Sequence, residues 1–347
     1  PMVSRSVLEQ TGQLDQWGDY IPQPQSQDPS TANTAQQTCW LNQFSALKIS
    51  GPDAERFLQG QLTCNMTDIT TRSVFHGACC TAKGRIVANF NISFDGENYW
   101  LILPTLSAEV LEKHLQKYKV FFKTTLENCT QSHLILGQWN ESEAGAAIHT
   151  KEYHQLSLSN NRSFLIVSDL SELEYTLSPS INWRLADINE GIYYVEGAQI
   201  EQWIPQHISW HNVNGISFNK GCYTGQEIIA RLQYLGKAKK ALQHYQGAIN
   251  SKTIDGISES TNLTSEGLIS AQQLFDEGGK NKAEVLIIRN HNSLESATAS
   301  TEFGSESIID ILVVGQGENP PKILYLTETN EFPLTLQNLP YTDLKEV

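Results

Sequence analysis

Phe218-Asn-Lys-Gly-Cys-Tyr-Thr-Gly-Gln-Glu227 sets a lysine two residues before a cysteine, adds two glycines, and ends in a Gln-Glu pair that opens the apolar run Ile228-Ile229-Ala230. Gly225 can take dihedrals closed to other residues. Thr224 is a candidate cap, and Glu227 suits a helical first turn. The pattern therefore predicts Cys222 just before a helix N-terminus. Unpaired amides there, with the Lys220 ammonium nearby, would stabilise a thiolate and bring the thiol below its ordinary pKa of ~8.5. A lone cysteine in a tight turn is more often a small buried apolar residue. The surrounding Lys-Gly-Cys-Tyr-x-Gly-Gln-Glu pattern is what favours the reactive reading.

The chain that carries this stretch has 347 residues. That exceeds the ~250–300 at which a single core stops growing, so two or three domains are expected. With 39 % apolar and 18 % charged residues and 23 glycines, it reads as a globular protein with many turns. Its longest apolar runs, Tyr99 to Leu103 and Ile308 to Val314, fall far short of the ~20 residues a bilayer needs. The start lacks a basic segment followed by an apolar one, so the chain is read as unprocessed and cytoplasmic. Six cysteines (39, 64, 79, 80, 129 and 222) show no CxxC pair, which argues against disulfide frameworks and zinc knuckles; no metal ligand set is expected. The adjacent Cys79 and Cys80 read as strand packing. A net charge of −14 argues against a broad phosphate-binding face and ranks direct nucleic-acid contact as the weaker option. One local exception is a basic spot of Lys220, Arg231, Lys237, Lys239 and Lys240.

Along the chain, residues 1–39 are rich in Gln, Ser, Thr, Asp and Pro and read as a mobile arm or irregular wrap, with Trp17 and Tyr20 as anchors. Residues 40–139 read as an α+β domain. Phe44, Leu47 and Ile49 lie near strand spacing, Ser50-Gly-Pro-Asp53 starts a helix, and Ile86 to Phe94 alternates as a half-buried strand. Asp95-Gly96 turns into Tyr99 to Leu103, a helix starts near Ser107, and Val120 to Phe122 returns as a strand. His114, on the apolar face of that helix, reads as a core histidine. Residues 140–240 read as a second α+β domain, either separate from the first or interleaved with it, with strands at 155–158, 164–167 and 192–195 and a helix from Gln226. From 241 to 347 short strands separated by Gly, Asn and Ser predict a small β-barrel, with a loop near 250–265.

Lys220-Gly-Cys-Tyr-Thr-Gly-Gln-Glu227 resembles the signature of the YgfZ family, folate-binding, tRNA-modifying proteins related to a mitochondrial iron-sulfur assembly factor. Further segments agree: Phe57-Leu-Gln-Gly-Gln-Leu-Thr63, Ala82-Lys-Gly84, Lys117-Tyr-Lys-Val120, Phe164-Leu-Ile-Val167, Trp203-Ile-Pro-Gln206, Gly215-Ile-Ser-Phe218 and Leu339-Pro-Tyr341. The likeness runs from about residue 44 to the C-terminus. It implies an α+β, three-domain fold shared with the glycine-cleavage aminomethyltransferase: two mixed α/β domains and a C-terminal β-barrel around a central cavity. It also implies tetrahydrofolate, or another reduced folate, as ligand. The family's folate-contacting aromatics fall on Phe44, where tryptophan is more familiar, and on Trp183. Where the family commonly reads Ile-Glu-Ala-Gly this chain has Ile188-Asn-Glu-Gly191, so Asn189 and Glu190 share that position, with Lys220 and Gln226 as further folate neighbours.

Two functions follow from the resemblance. An aminomethyltransferase would need acids beside the folate, and those enzymes are similar to one another in an Asp-Asp after the glycine turn. Here that turn, Lys83-Gly84-Arg85-Ile86-Val87, leads into Ala88-Asn89, and neither residue is a general base. The other function is an accessory role. In it a monomeric, folate-binding protein uses Cys222, assisted by Lys220 and oriented by Gln226-Glu227, to support iron-sulfur enzymes as clients and thereby tRNA modification. A single thiol fits that role better than permanent cluster ligation, which wants several thiolates.

Overall fold

In the computed structural model the described residues are 5–15, 17–23, 37–140, 143–151, 153–158, 161–170, 176–236, 238–250, 273–291 and 306–341. Most of the loop expected at 250–265, and Lys237 of the basic spot, lie outside them. The N-terminal segment is folded where it is described, as the wrap anchored by Trp17 and Tyr20 and not as a mobile arm, while residues 24–36 of it lie outside the described residues. Helix α1 (Arg5–Gln10) leads into a hairpin of β1 (Gly12–Leu14) and β2 (Tyr20–Pro22). Trp17 and Tyr20 are both buried, and between them Asp19 meets Arg289 at 2.6 Å. Two aromatic anchors and a buried ion pair thus outweigh the polar composition around them.

β3 (Gln37–Trp40) and β4 (Phe44–Ser50) are neighbours in sequence but belong to different sheets. β4 joins a five-stranded antiparallel sheet that also takes β5 (Phe75–Cys80), β6 (Ile86–Phe94), β7 (Tyr99–Pro104) and β8 (Thr125–Asn128), in the order β5-β6-β7-β4-β8. Helices α2 (Ala54–Gln59) and α3 (Thr105–Gln116) cover one face, where Phe57, Leu58, Leu111 and Leu115 pack on Leu47, Phe90 and Leu101. His114 is buried on α3, as its place in the apolar stripe implies. The alternation of β6 suggested one solvated face, yet Asn89, Asn91 and Ser93 are as buried as Ala88, Phe90 and Ile92. The polar face is covered by the segment at 193–195, so the strand is closed in on both sides.

A second sheet collects β9 (Leu134–Trp139), β10 (Ala147–His149), β11 (Tyr153–Ser157), β12 (Arg162–Val167) and β13 (Thr176–Ser178), in the order β10-β11-β12-β9-β3-β13. Because β3 sits inside it, the boundary expected at 39/40 falls within one strand. Helices α4 (Ile181–Glu190) and α5 (Gln226–Leu235) follow. The C-terminal part is a closed barrel of β14 (Lys240–Asn250), β15 (Gln273–Phe275), β16 (Asn281–Asn290), β17 (Glu306–Gln316), β18 (Ile323–Tyr325) and β19 (Pro333–Gln337). One apolar core joins all three parts, running from Phe44 and Trp100 through Phe164, Trp183 and Trp210 to Leu242 and Leu312.

Two further elements differ from expectation. Residues 119–121 form a 3-10 turn instead of a strand, because Phe122 alone turns inward. Ile192 to Val195 is extended but belongs to no sheet: the Asn89 carboxamide holds it, donating to the Tyr193 carbonyl (2.8 Å) and accepting from the Val195 N–H (2.7 Å).

Candidate functional site

The loop around Cys222 is where the scattered sequence segments meet. Lys220 Nζ donates to the carbonyls of Gln59, Leu62 and Cys64 at 2.8, 2.7 and 2.8 Å. Thr63 Oγ1 donates to the Gly215 carbonyl at 2.6 Å, and the Ser217 N–H donates to the Thr63 carbonyl at 2.8 Å. Gln206 Nε2 donates to the Ile229 carbonyl at 2.8 Å, tying the Trp203–Gln206 segment to α5. Gly225 is the N-cap of α5 at φ 87°, and a Cβ there would stand 2.6 Å from the Thr81 carbonyl and 3.1 Å from Gly84 Cα. Only glycine satisfies both the left-handed backbone and this approach. The cap falls to Gly225, so the Thr224 expectation is corrected: Thr224 instead docks its N–H on the Gly60 carbonyl at 3.1 Å.

On this scaffold Cys222 is exposed, while the other five cysteines are buried. Burial pushes the Cys64 and Cys129 thiols up to about 11 and Cys79 up to about 12. The Gln226 side chain turns back and accepts the Tyr223 N–H at 3.1 Å, fixing the loop next to the thiol. Cys222 lines a surface groove with Tyr223, Gln226, Ala230, Arg231 and Tyr234. Lys220 does not serve it. An ammonium has three N–H donors, and all three are taken by the carbonyls named above; burial lowers its pKa to about 8, partly offset by the Cys64 thiol. Lys220 is therefore the pin that fastens the Cys222 loop to residues 59–64. The basic spot is likewise divided: Arg231 pairs with Glu227 at 3.5 Å, and Lys240 stacks over Trp203 at 4.8 Å.

The residues expected to face a folate lie apart from that loop. Phe44 is buried against Phe164 and Tyr194, with the Arg184 guanidinium 4.9 Å above its ring. Trp183 is buried too, lying on β9 at Gly137, where a Cβ would come within 2.4 Å of the indole. Arg162 lies 4.5 Å from its ring centroid, and the rings of Phe164 and Trp139 pack on it at 5.0 and 5.6 Å. Both aromatics are packed in the core, so neither offers a free face. Asn189 is exposed on the outer side of α4, whereas Glu190 points inward and pairs with Arg162 at 2.8 Å.

Glu190 also lines a cavity of about 490 Å³ between the first sheet (Val74, Phe75, His76), the second (Gly145, Ser157, Leu158), the Asn212–Asn214 loop and Pro340-Tyr341. Apolar walls with a few polar groups are the usual lining of a small-molecule pocket. His76 stands edge-on to Trp210 at 5.1 Å, its Nδ1 is buried without a partner, and burial lowers its pKa to about 4. Tyr341 donates to the Gly191 carbonyl at 3.1 Å and closes one side. Sequence reasoning passed over His76 and Arg162. For Arg162 the signal was a cation opening the apolar run Ser163-Phe-Leu-Ile-Val167; His76 left none.

The chain is 30 % identical over 250 residues to the tRNA-modifying protein YgfZ of Pectobacterium carotovorum, covering 65 % of this chain and 75 % of that protein. It is 30 % identical over 252 residues to its namesake in Klebsiella pneumoniae (66 % and 77 %), and 28 % over 328 residues to that of Colwellia psychrerythraea (88 % and 93 %). The chain belongs to the YgfZ family. No protein-family model matches it. The glycine cleavage system aminomethyltransferase T of Bartonella henselae superposes with a TM-score of 0.66 at 11 % identity, over 97 % of this chain and 96 % of that one, so the fold is the aminomethyltransferase fold.

Within this YgfZ-family chain the position after the glycine turn is filled by groups with structural duties. Asn89 spends its carboxamide on Tyr193 and Val195, and Asn91 Nδ2 donates to Tyr194 Oη at 2.6 Å. Among the described residues no cluster of three or more His, Cys, Asp or Glu could hold a metal ion, and no helix is long and apolar enough to cross a membrane.

Proposed function

We propose that this protein is a cytoplasmic accessory factor in tRNA modification that binds a reduced folate in the central cavity. In this reading it uses the Cys222 thiol in support of iron-sulfur enzymes. The observation that carries the proposal is the contrast among the cysteines: five are buried, and the one in the Lys-Gly-Cys-Tyr loop is exposed on a loop pinned by Lys220, Gly225 and Gln226. Exposure is what a thiol needs to meet another protein or a transferred group.

The cavity suits a pterin in kind. Val74, Leu158 and Ile192 offer apolar walls, and Glu190 and the unpartnered His76 offer polar edges. When bound, a folate would supply one-carbon chemistry; this chain's residues would orient it. Phe44 and Trp183 would act from behind the wall, Trp183 by supporting the Arg162–Glu190 pair. The tRNA role follows the names of the relatives. A monomer with iron-sulfur enzymes as clients completes the reading.

Aminomethyl transfer is the second reading, favoured by the fold alone. Against it stands Asn89, which is uncharged and has both ends of its carboxamide engaged.

Two measurements test the proposal. In a strain lacking the protein, Cys222→Ser and Cys222→Ala should fail to restore tRNA modification and iron-sulfur enzyme activity; full rescue by both removes the thiol role. Tetrahydrofolate titration should saturate with wild type and weaken with Glu190→Gln. No saturable binding by wild type removes the folate claim.

A further inference from the structure

The last turn of α3 and the turn after it carry Lys113, Lys117, Lys119 and Lys123 with no carboxylate between them, in a chain with 38 acidic and 24 basic residues. Three apolar side chains of the same run stand in solvent: Phe121 is 90 % exposed, Val120 74 % and Tyr118 42 %. Among the described residues none of the four lysines forms a salt bridge, and the nearby Arg56 pairs only with Asp53, at 3.3 Å.

The run is nonetheless well fixed. Phe122 turns inward onto Phe57 at 5.2 Å, with the Arg56 guanidinium 5.0 Å over its ring. Lys119 Nζ donates to the Thr124 carbonyl at 3.1 Å, and the Lys123 N–H donates to Asp53 at 2.8 Å. A firmly held 3-10 turn therefore presents Val120 and Phe121 outward between cations.

Exposed apolar groups ringed by one sign of charge mark a contact surface. The partner must combine negative charge with flat apolar faces, as an unpaired stretch of RNA does: its bases stack on aromatic rings while its phosphates meet lysines. We propose that the Lys113–Lys123 turn contacts a single-stranded segment of tRNA, Phe121 stacking on a base and Lys117 and Lys123 neutralising the flanking phosphates. The proposal rests on the tRNA-modification reading above. The net charge of −14 does not oppose it, because a strand on this turn feels the charges within about 10 Å, the screening length near 0.1 M salt. A flexible strand can touch the turn alone, whereas a flat anionic membrane would meet more of a chain whose net charge is −14.

Fluorescence anisotropy with a labelled unmodified tRNA transcript and a labelled single-stranded RNA tests the contact on the full chain. Wild type should bind saturably and more weakly as salt rises. Phe121→Ala should bind roughly tenfold more weakly with the same salt slope. Lys117→Glu/Lys123→Glu should bind more weakly with a slope shallower by ~1.4, two phosphates at ~0.7 each. All three side chains lie on the surface, and an unchanged Tm confirms that the variants fold; Tyr118→Ala is a second aromatic variant. Absence of saturable RNA binding by wild type, equal binding by the variants, or Phe121-dependent sedimentation with phosphatidylserine vesicles in place of RNA binding would overturn the contact. If non-binding variants restore tRNA modification in the deletion strain as well as wild type does, this contact falls and the reading stands. If wild type itself restores nothing, the reading falls, and the anisotropy alone decides the contact.

Discussion

The guanidinium of Arg162 lies 4.5 Å over the Trp183 ring and reaches two buried carboxylates, Asp187 and Glu190, each at 2.8 Å. It links β12 to α4 and places Glu190 on the wall of the cavity of about 490 Å³. Replacing it by Met keeps the bulk over the indole but leaves two carboxylates in the core without their nearest counter-charge. Removing one partner of a buried ion pair costs about 3–5 kcal/mol. Denaturant unfolding followed by tryptophan emission should show a loss of that order for Arg162→Met. A loss below about 1 kcal/mol, the worth of an exposed pair, would mean that the network is open to water.

Thiol accessibility separates Cys222 from the rest of the cysteines. Native protein treated with an aromatic disulfide reagent should release one equivalent quickly, and the denatured chain all six. Cys222→Ser should abolish the native signal and lower the denatured total by one. Fast labelling of a second thiol in the native state would contradict the burial of Cys39, Cys64, Cys79, Cys80 and Cys129.

Acid sensitivity follows from three histidines. Burial lowers His76, His154 and His207 to about 4, with help from His149 at His154 and from Lys240 at His207. The unfolded chain titrates near ~6.5. Between pH 6.5 and 4 the unfolded state therefore binds more protons, so their contribution is present above 6.5 and is lost as pH falls towards 4. Each can contribute at most about 1.4 kcal/mol per pH unit. His154→Phe keeps a ring tilted against Trp100, now 4.6 Å away, and should flatten the fall in unfolding free energy from pH 6.5 to 5. A slope identical to wild type would sink the assignment for His154.

What the sequence revealed and what it hid divide along a physical line. The C-terminal barrel, β4, β12 and α5 were legible because turn glycines and apolar periodicity are local signals, whereas the long strand β14 (Lys240–Asn250) that opens the barrel was not singled out. The Cys222 loop was legible through its pattern, although the exposure of its thiol was not. The role of Lys220 was not: which acceptors an ammonium meets depends on residues 59–64, some 160 positions away. The same holds for the N-terminal hairpin, anchored by a pair between Asp19 and Arg289. Trp183 and Phe44 carried family positions, but whether an aromatic faces a cavity or a strand is set by its neighbours, here Gly137 and Arg184.

Asn89 offers the sharpest separation of the two functional readings. If the chain were an aminomethyltransferase that had merely lost its acid, Asn89→Asp would move it towards activity. The geometry predicts damage instead. The Asn89 Nδ2 donor faces the Tyr193 carbonyl at 2.8 Å, and Oδ1 accepts the Val195 N–H at 2.7 Å. A carboxylate keeps the second bond, but it sets an oxygen against the Tyr193 carbonyl and buries a charge on a strand that is closed in on both faces. Leaving that carbonyl unpaired costs about 1–3 kcal/mol, and more with the charge added. Asn89→Asp should therefore unfold at lower denaturant, most of all above the pH at which the new carboxyl ionises, and should show no aminomethyl transfer from a lipoyl carrier. Transfer activity in a variant of undiminished stability would overturn the accessory reading and restore the enzyme.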